Sequence, residues 1–94
     1  MNSRAELKVE GGKLLRADVS VTDEIEAVEL HGDFFVYPEE ALDRIEAAVE
    51  GVPVDAAPDE LADGIEAAAA DAALVGFDPE DVAAVLREAV SDAE

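Results

Sequence analysis

The chain has 94 residues, and its net charge of −19 arises from 25 acidic against six basic side chains. This length supports one small domain with a thin core. The field of so many carboxylates repels phosphate backbones, which argues against nucleic-acid binding. With no cysteine and no apolar run long enough for a membrane span, the sequence excludes disulfides and predicts a cytoplasmic domain with no membrane association.

The acid excess is typical of proteins adapted to a salt-rich cytoplasm, where salt screens repulsion between carboxylates over a Debye length of about 3 Å at 1 M. A disordered acidic tail is the alternative, but apolar periodicity continues almost to the last residue. The charge is uneven. Residues 1–32 carry four basic against seven acidic side chains, a net charge of −3, whereas residues 33–94 carry two against 18, a net charge of −16. An anionic partner would therefore approach the first third of the chain.

Apolar and polar residues alternate through the first third of the chain, as in half-buried strands within about residues 5–32. A two-residue loop at Gly11-Gly12 would place the apolar sets of the first two strands on opposite faces. A three-residue loop, Gly11-Gly12-Lys13, places them on one face and pairs Val9 with Leu15. We therefore predict the longer loop.

The third strand continues the same alternation, with a turn at Asp23-Glu24. This turn would place Val28 opposite Val19 and Leu30 opposite Ala17, so the apolar residues of the third strand share the face of the second. The consequence is a three-stranded antiparallel meander with one apolar face.

The rest of the chain has helical periodicity, and we predict helices at about 38–50, 59–73 and 79–91. Pro38 and Pro79 suit first helical positions, and Gly51 suits a C-terminal cap. Strands followed by helices predict an α+β fold, in which about three helices pack on one face of the meander and residues 1–94 form a single domain.

A turn joins the two halves, and its residues are the candidate partner interface or turn motif: Gly32, Asp33, Phe34, Phe35 and Tyr37. The strand phase predicts that Phe34 points into the core and Phe35 points outwards. An outward Phe35 would serve as an interface anchor, or it would pack against Tyr37 or the first helix, and the sequence leaves these alternatives open. Asp33 beside a glycine suits turn hydrogen bonds better than acid–base chemistry.

The remaining candidate sites are weaker. Lys13 and Arg16 are candidate contacts for a nucleotide or for a partner's carboxylates, because cations are scarce in this chain. A single histidine, His31, near Glu29 and Asp33 is weak evidence for a metal site. No nucleophile–base pair is recognisable, so we predict no catalytic residue and no metal.

Four runs together carry a resemblance: Gly12–Val19, Ile25–Leu30, His31-Gly32-Asp33-Phe34-Phe35 and Glu40–Val52. They resemble the small C-terminal domain of lipoate–protein ligases, in which a strand ending in Gly-Asp-Phe-Phe leads into a helix closed by glycine. The sequence holds only this domain, so we expect it to correspond to the separate accessory subunit of the two-chain ligases of some archaea.

This resemblance implies a heterodimer in which a large subunit carries the ATP, magnesium and lipoate sites. That subunit would form lipoyl-AMP and pass the lipoyl group to a lysine of a carrier domain, in 2-oxoacid dehydrogenases or the glycine cleavage H protein. The present chain would bind no cofactor alone and would be required for the activation step. The alternative is a stand-alone acidic interaction module of a halophile with a different client.

Overall fold

The computed structural model describes residues 1–9 and 13–93, including their side chains except those of Lys13 and Pro58. The described elements are, in chain order, β1 (Asn2–Val9), β2 (Lys13–Val21), β3 (Ile25–Gly32), β4 (Phe35–Tyr37), α1 (Glu40–Val49), α2 (Pro58–Ala68), β5 (Ala73–Val75) and α3 (Pro79–Ala93). The long strands form an antiparallel sheet in the order β1-β2-β3, and β4 pairs with β5 separately. The predicted α+β fold, a three-stranded meander followed by helices packed against it, is confirmed.

The register of the sheet follows the predicted pattern on one side and departs from it on the other. Between β2 and β3, Val19 pairs with Val28 as predicted. Between β1 and β2, Val9 pairs with Lys13, so the predicted pairing of Val9 with Leu15 is wrong by two residues. The alternating pattern could not separate these two registers, because a shift of two leaves every side chain on the same face.

The predicted Gly11-Gly12-Lys13 loop is therefore wrong at Lys13, which belongs to β2. The other residues of that loop lie outside the described part of the chain.

The core lies between one face of the β1-β2-β3 sheet and the helices. Helix α3 packs across β1 and β2 and against α2, whereas α1 packs against β3 and α2. The largest fully buried side chains come from all of these layers: Leu15, Ile25, Ile45, Val49, Ile65, Val82, Val85 and Leu86. Burial of one such side chain contributes about 1.5–3 kcal/mol, so this shared layer holds the sheet and helices together.

The ends of α1 and α3 show which helix signals were reliable. Gly51 adopts a φ of +87° just after α1, as the predicted C-terminal cap requires. Pro79 is the first residue of α3, as predicted, and the carboxylate of Asp81 accepts a hydrogen bond from the Asp78 N–H at 2.9 Å. Helix α1, however, begins at Glu40, because Pro38 belongs to the preceding turn, where its carbonyl accepts the Ala41 N–H at 3.0 Å. No helix in the described ranges has both the length and the hydropathy to cross a bilayer.

The region after α2 contains the main error of the predicted secondary structure. The expected helix over 59–73 ends at Ala68, and Ala73–Val75 form strand β5 instead. The Ala72 N–H bonds to the Ala69 carbonyl at 2.9 Å in a turn that leads the chain into β5. Alanine favours helix locally, but β5 is fixed by its pairing with β4, which is distant in sequence.

Glu46 connects α1 to the sheet. One carboxylate oxygen, Oε2, accepts a hydrogen bond from the backbone N–H of Leu30 in β3 at 2.8 Å. Burial raises the pKa of the Glu46 carboxyl, and this effect outweighs the opposing effect of the hydrogen bond. The charged form of Glu46 is therefore less stable in the folded state than in the solvated, unfolded chain.

We expect Glu46→Gln to raise the melting temperature at pH 7, because glutamine keeps an acceptor for the Leu30 N–H and removes the unfavourable charge. Below the unfolded pKa of about 4.3, Glu46 is protonated in both states and its charge costs no stability. As the pH rises through the higher pKa of the folded state, ionisation of Glu46 lowers the free energy of unfolding. The gain should therefore disappear on acidification, as measured by thermal melts between about pH 4 and pH 7. Glu88→Gln, an exposed change on α3 that removes the same charge, is the control. The same pH dependence in both variants would contradict this account.

Candidate partner interface

The turn between β3 and β4 is fixed by backbone contacts with β2. Gly32 ends β3 with a φ of +152°. A Cβ at this position would overlap the carbonyl oxygen of Leu14 and would lie 3.0 Å from its carbonyl carbon. The backbone N–H of Asp33 donates to that same oxygen at 3.0 Å, while the Asp33 side chain is exposed. Glycine is therefore required for this close approach of two backbones.

Phe34 anchors the turn to the body of the domain. Its ring meets the ring of Phe77 edge-on, with the centroids 4.8 Å apart and an interplanar angle of 61°. Phe77, in the segment that joins β5 to α3, is buried, and Phe34 is half-buried against the core. The inward orientation predicted for Phe34 is thus observed.

Phe35 and Tyr37 point the opposite way. Their rings stack with centroids 6.3 Å apart and an interplanar angle of 16°. Both remain largely exposed, Phe35 at 61% and Tyr37 at 57%. The sequence left open whether Phe35 is an exposed anchor or packs against Tyr37 or the first helix, and the structure shows an exposed ring stacked on Tyr37.

Strand β5 completes this surface. Phe35 pairs with Val75 and Tyr37 with Ala73, and directly paired residues project from the same side of a sheet. All four side chains are exposed, whereas Val36 on the opposite side is buried. We call Phe35, Tyr37, Ala73 and Val75 the outer face of β4–β5.

The contribution of Val75 was missed because β5 was predicted to be helical. The available signal was the Leu74-Val75 pair directly before Gly76, where the alanine run stops. A short apolar run bounded by glycine is consistent with a strand.

Acidic side chains flank this outer face along the chain. Asp33 precedes β4 and Glu39 follows it, while Asp71 precedes β5 and Asp78 follows it, and all four residues are exposed. No lysine or arginine occurs between Arg16 and Arg44, or between Arg44 and Arg87. An apolar face is therefore joined to chain segments that carry only negative charge.

The outward face of the three-stranded sheet carries an ion-pair network centred on Asp18. The carboxylate of Asp18 lies 2.5 Å from Arg4 Nε, 3.5 Å from Arg16 Nε and 3.6 Å from His31 Nε2. The hydrogen bond from Arg4 lowers the pKa of Asp18. Cations of the protein itself therefore already neutralise this carboxylate.

A metal site is not favoured in this network. Possible ligand atoms of Asp18, Glu29 and His31 lie within 4.8 Å of one another. The sequence suggested Asp33 as the third member of this group, but the structure places Asp18 there instead. The two guanidinium groups directed at Asp18 compete with a metal ion for its oxygens and repel a cation. The group fits an ion-pair network on a solvated sheet face.

Of the two predicted contacts for a nucleotide or a partner, Arg16 is half-buried, and its Nε lies 3.5 Å from the carboxylate of Asp18. Lys13 begins β2, and its side chain lies outside the description. Their role as contacts remains a prediction.

No protein-family model matches the chain, and no curated protein matches it in sequence. One solved structure that is similar describes an archaeal lipoylation system, a bi-partite lipoate protein ligase and its E2 lipoyl domain from Thermoplasma acidophilum. The TM-score is 0.73 at 25% sequence identity, and the match covers 93% of this chain and 96% of that chain. The predicted resemblance is thereby confirmed: over nearly its whole length the chain is similar to a component of a bi-partite archaeal lipoate protein ligase structure.

Proposed function

We propose that this chain is the non-catalytic accessory subunit of a two-chain lipoate–protein ligase, required when the large subunit activates lipoate to lipoyl-AMP. The observation that carries the proposal is the structural match between this chain and one chain of the archaeal ligase structure, which covers 93% of the former and 96% of the latter. Such coverage supports equivalence of two whole units, because a shared motif alone would align only part of each.

The burial and the pKa shifts of the described side chains support a binding role. Catalytic acids and bases usually lie in clefts with strongly perturbed pKa values. Among the side chains that the structure describes, in residues 1–9, 14–57 and 59–93, no polar or charged residue is buried. The pKa of Asp18 is lowered by Arg4 on an open sheet face, and that of Glu46 is raised by packing against β3, so structural contacts explain both shifts.

The large subunit, in this proposal, holds ATP, magnesium and lipoate. After activation, it passes the lipoyl group to a lysine of the lipoyl domains of 2-oxoacid dehydrogenases or of the glycine cleavage H protein. The accessory chain would cover the active-site loops of the large subunit with its sheet and the segment Gly32–Pro38. Exclusion of water protects a reactive acyl-adenylate from hydrolysis, so such a cover would act on the activation step.

Separate assays of the two half-reactions test this proposal. We expect the large subunit alone, in molar KCl with ATP, magnesium and lipoate, to form no detectable lipoyl-AMP, and we expect addition of this chain to restore formation. Preformed lipoyl-AMP should be transferred to a lipoyl domain by the large subunit alone, because transfer needs no new adenylate. This chain incubated alone with ATP and lipoate is the control.

Full adenylation by the large subunit alone would contradict the proposal. The exposed aromatic pair Phe35–Tyr37 would then favour the second candidate, an acidic interaction module with another client.

A further inference from the structure

We propose that the outer face of β4–β5 is the surface by which this chain docks on the catalytic subunit, inserting Phe35 and Tyr37 into an apolar pocket rimmed by lysine and arginine side chains. This inference rests on the proposed function and assigns its interface. Exposed apolar surface is unevenly distributed over the described part of the molecule.

Exposed large apolar side chains are concentrated on this face. Phe35, Tyr37 and Val75 are 61%, 57% and 49% exposed, and cross-strand pairing places them together. The other exposed large apolar side chains in the described part of the chain are Met1 and Leu14, which belong to other strands or ends. Contiguous apolar surface on a small domain marks an interaction site, whereas single exposed residues do not.

The chemistry of the face matches that of interface centres. Aromatic residues are enriched where binding energy is concentrated, because they bury much area while few side-chain rotations are lost. Phe35 and Tyr37 already stack on each other, so each restricts the other before binding. Beneath them, Val36 is buried and Phe34 packs on Phe77, which fixes the strand that presents the pair. A preorganised face loses less freedom on docking.

Charge complementarity selects the occupant. The exposed acids Asp33 and Glu39 flank β4, and Asp71 and Asp78 flank β5, in a chain of net charge −19. A second copy docked on this face would bring the same acids together and double that charge, so self-association is disfavoured. A partner whose apolar pocket is bordered by lysine and arginine would satisfy both the aromatic pair and the acids around it.

The experiment is a binding titration of this chain against the purified catalytic subunit of the same two-chain ligase in molar KCl. We expect Phe35→Ala and Tyr37→Ala each to raise Kd by about thirtyfold or more, the loss typical of a residue at an interface centre. Both changes remove exposed rings, so the melting temperature should stay near that of the wild type. Val85→Ala is the control, since it removes buried volume from α3, which packs on β1, β2 and α2 and not on β4–β5, and should lower the melting temperature while leaving Kd nearly unchanged.

The outcomes separate the two proposals. If the wild-type chain binds and restores adenylation, and Phe35→Ala and Tyr37→Ala bind equally well, the docking surface is wrong and the proposed function stands. If the wild-type chain neither binds nor restores adenylation, the proposed function fails, and this inference fails with it. Self-association that Phe35→Ala abolishes, with binding to the catalytic subunit unchanged, would show that the face serves a second copy and would also overturn the inference.

Discussion

Gly32→Ala should lower the free energy of unfolding by about 2–3 kcal/mol, the upper part of the range for overpacked positions. The new methyl group would overlap the carbonyl oxygen of Leu14, and the atoms behind it are also backbone, with Leu15 Cα at 3.2 Å. The backbone of β2 cannot move aside as the end of a flexible side chain can, because Leu15 is paired with β1 on one side and with β3 on the other. The φ of +152° adds strain for any residue with a Cβ. Chemical denaturation at fixed salt would measure the loss.

Gly64→Ala is the matched control because it should change stability in the opposite direction. Gly64 lies within α2, and a Cβ there would meet nothing within 4 Å. Alanine is favoured over glycine inside a helix by about 0.5–1 kcal/mol, so we expect a gain of that size. Equal effects at Gly32 and Gly64 would show that the close approach of β2 and β3 at Gly32 is not as described.

The second large effect should be an increase in thermal stability with salt concentration. We expect the melting temperature to rise by about 10 °C or more between about 0.1 M and 2 M KCl, equivalent to roughly 2 kcal/mol for a domain of this size. The molecule measures 31 × 25 × 20 Å and carries a net charge of −19. At 0.1 M the Debye length is about 10 Å, so carboxylates repel one another over much of the molecule, whereas at 1 M it is about 3 Å.

The structure explains why the repulsion is poorly compensated in the helical half. Ion pairs among the described residues lie on the open sheet face, around Asp18 and His31. None of the three helices has a basic residue in its last turn. The double variant Asp63→Asn/Glu66→Gln, which removes two exposed charges from α2, should therefore reduce the salt dependence. A melting temperature that is independent of KCl in the wild-type chain would contradict the electrostatic account.

The parts of the fold that depend on local patterns could be predicted from the sequence. Alternation identified the apolar faces of β1, β2 and β3, and the same phase carried past Gly32 to separate an inward Phe34 from an outward Phe35. Capping signals located Gly51 and Pro79, because each residue acts through its own backbone. The resemblance to lipoate–protein ligases likewise rested on this strand, turn and helix.

The parts that depend on distant pairing could not be predicted in this way. Strand β5 forms within alanine-rich sequence that favours helix, and only its hydrogen bonds to β4, nearly 40 positions earlier, define it. The sequence therefore identified Phe35 and Tyr37 as candidates but could not place Val75 beside them. The two-residue error between β1 and β2 has a related cause, since side-chain alternation repeats every two residues and fixes the face without fixing the partner.

The proposed function requires this chain to enable a catalytic subunit to activate lipoate. The most direct test is to titrate this chain into a fixed amount of the catalytic subunit in molar KCl and to follow lipoyl-AMP formed from ATP and lipoate. We expect the rate to rise from baseline and to saturate at one accessory chain per catalytic subunit. A rate of lipoyl-AMP formation that does not change across the titration would contradict it.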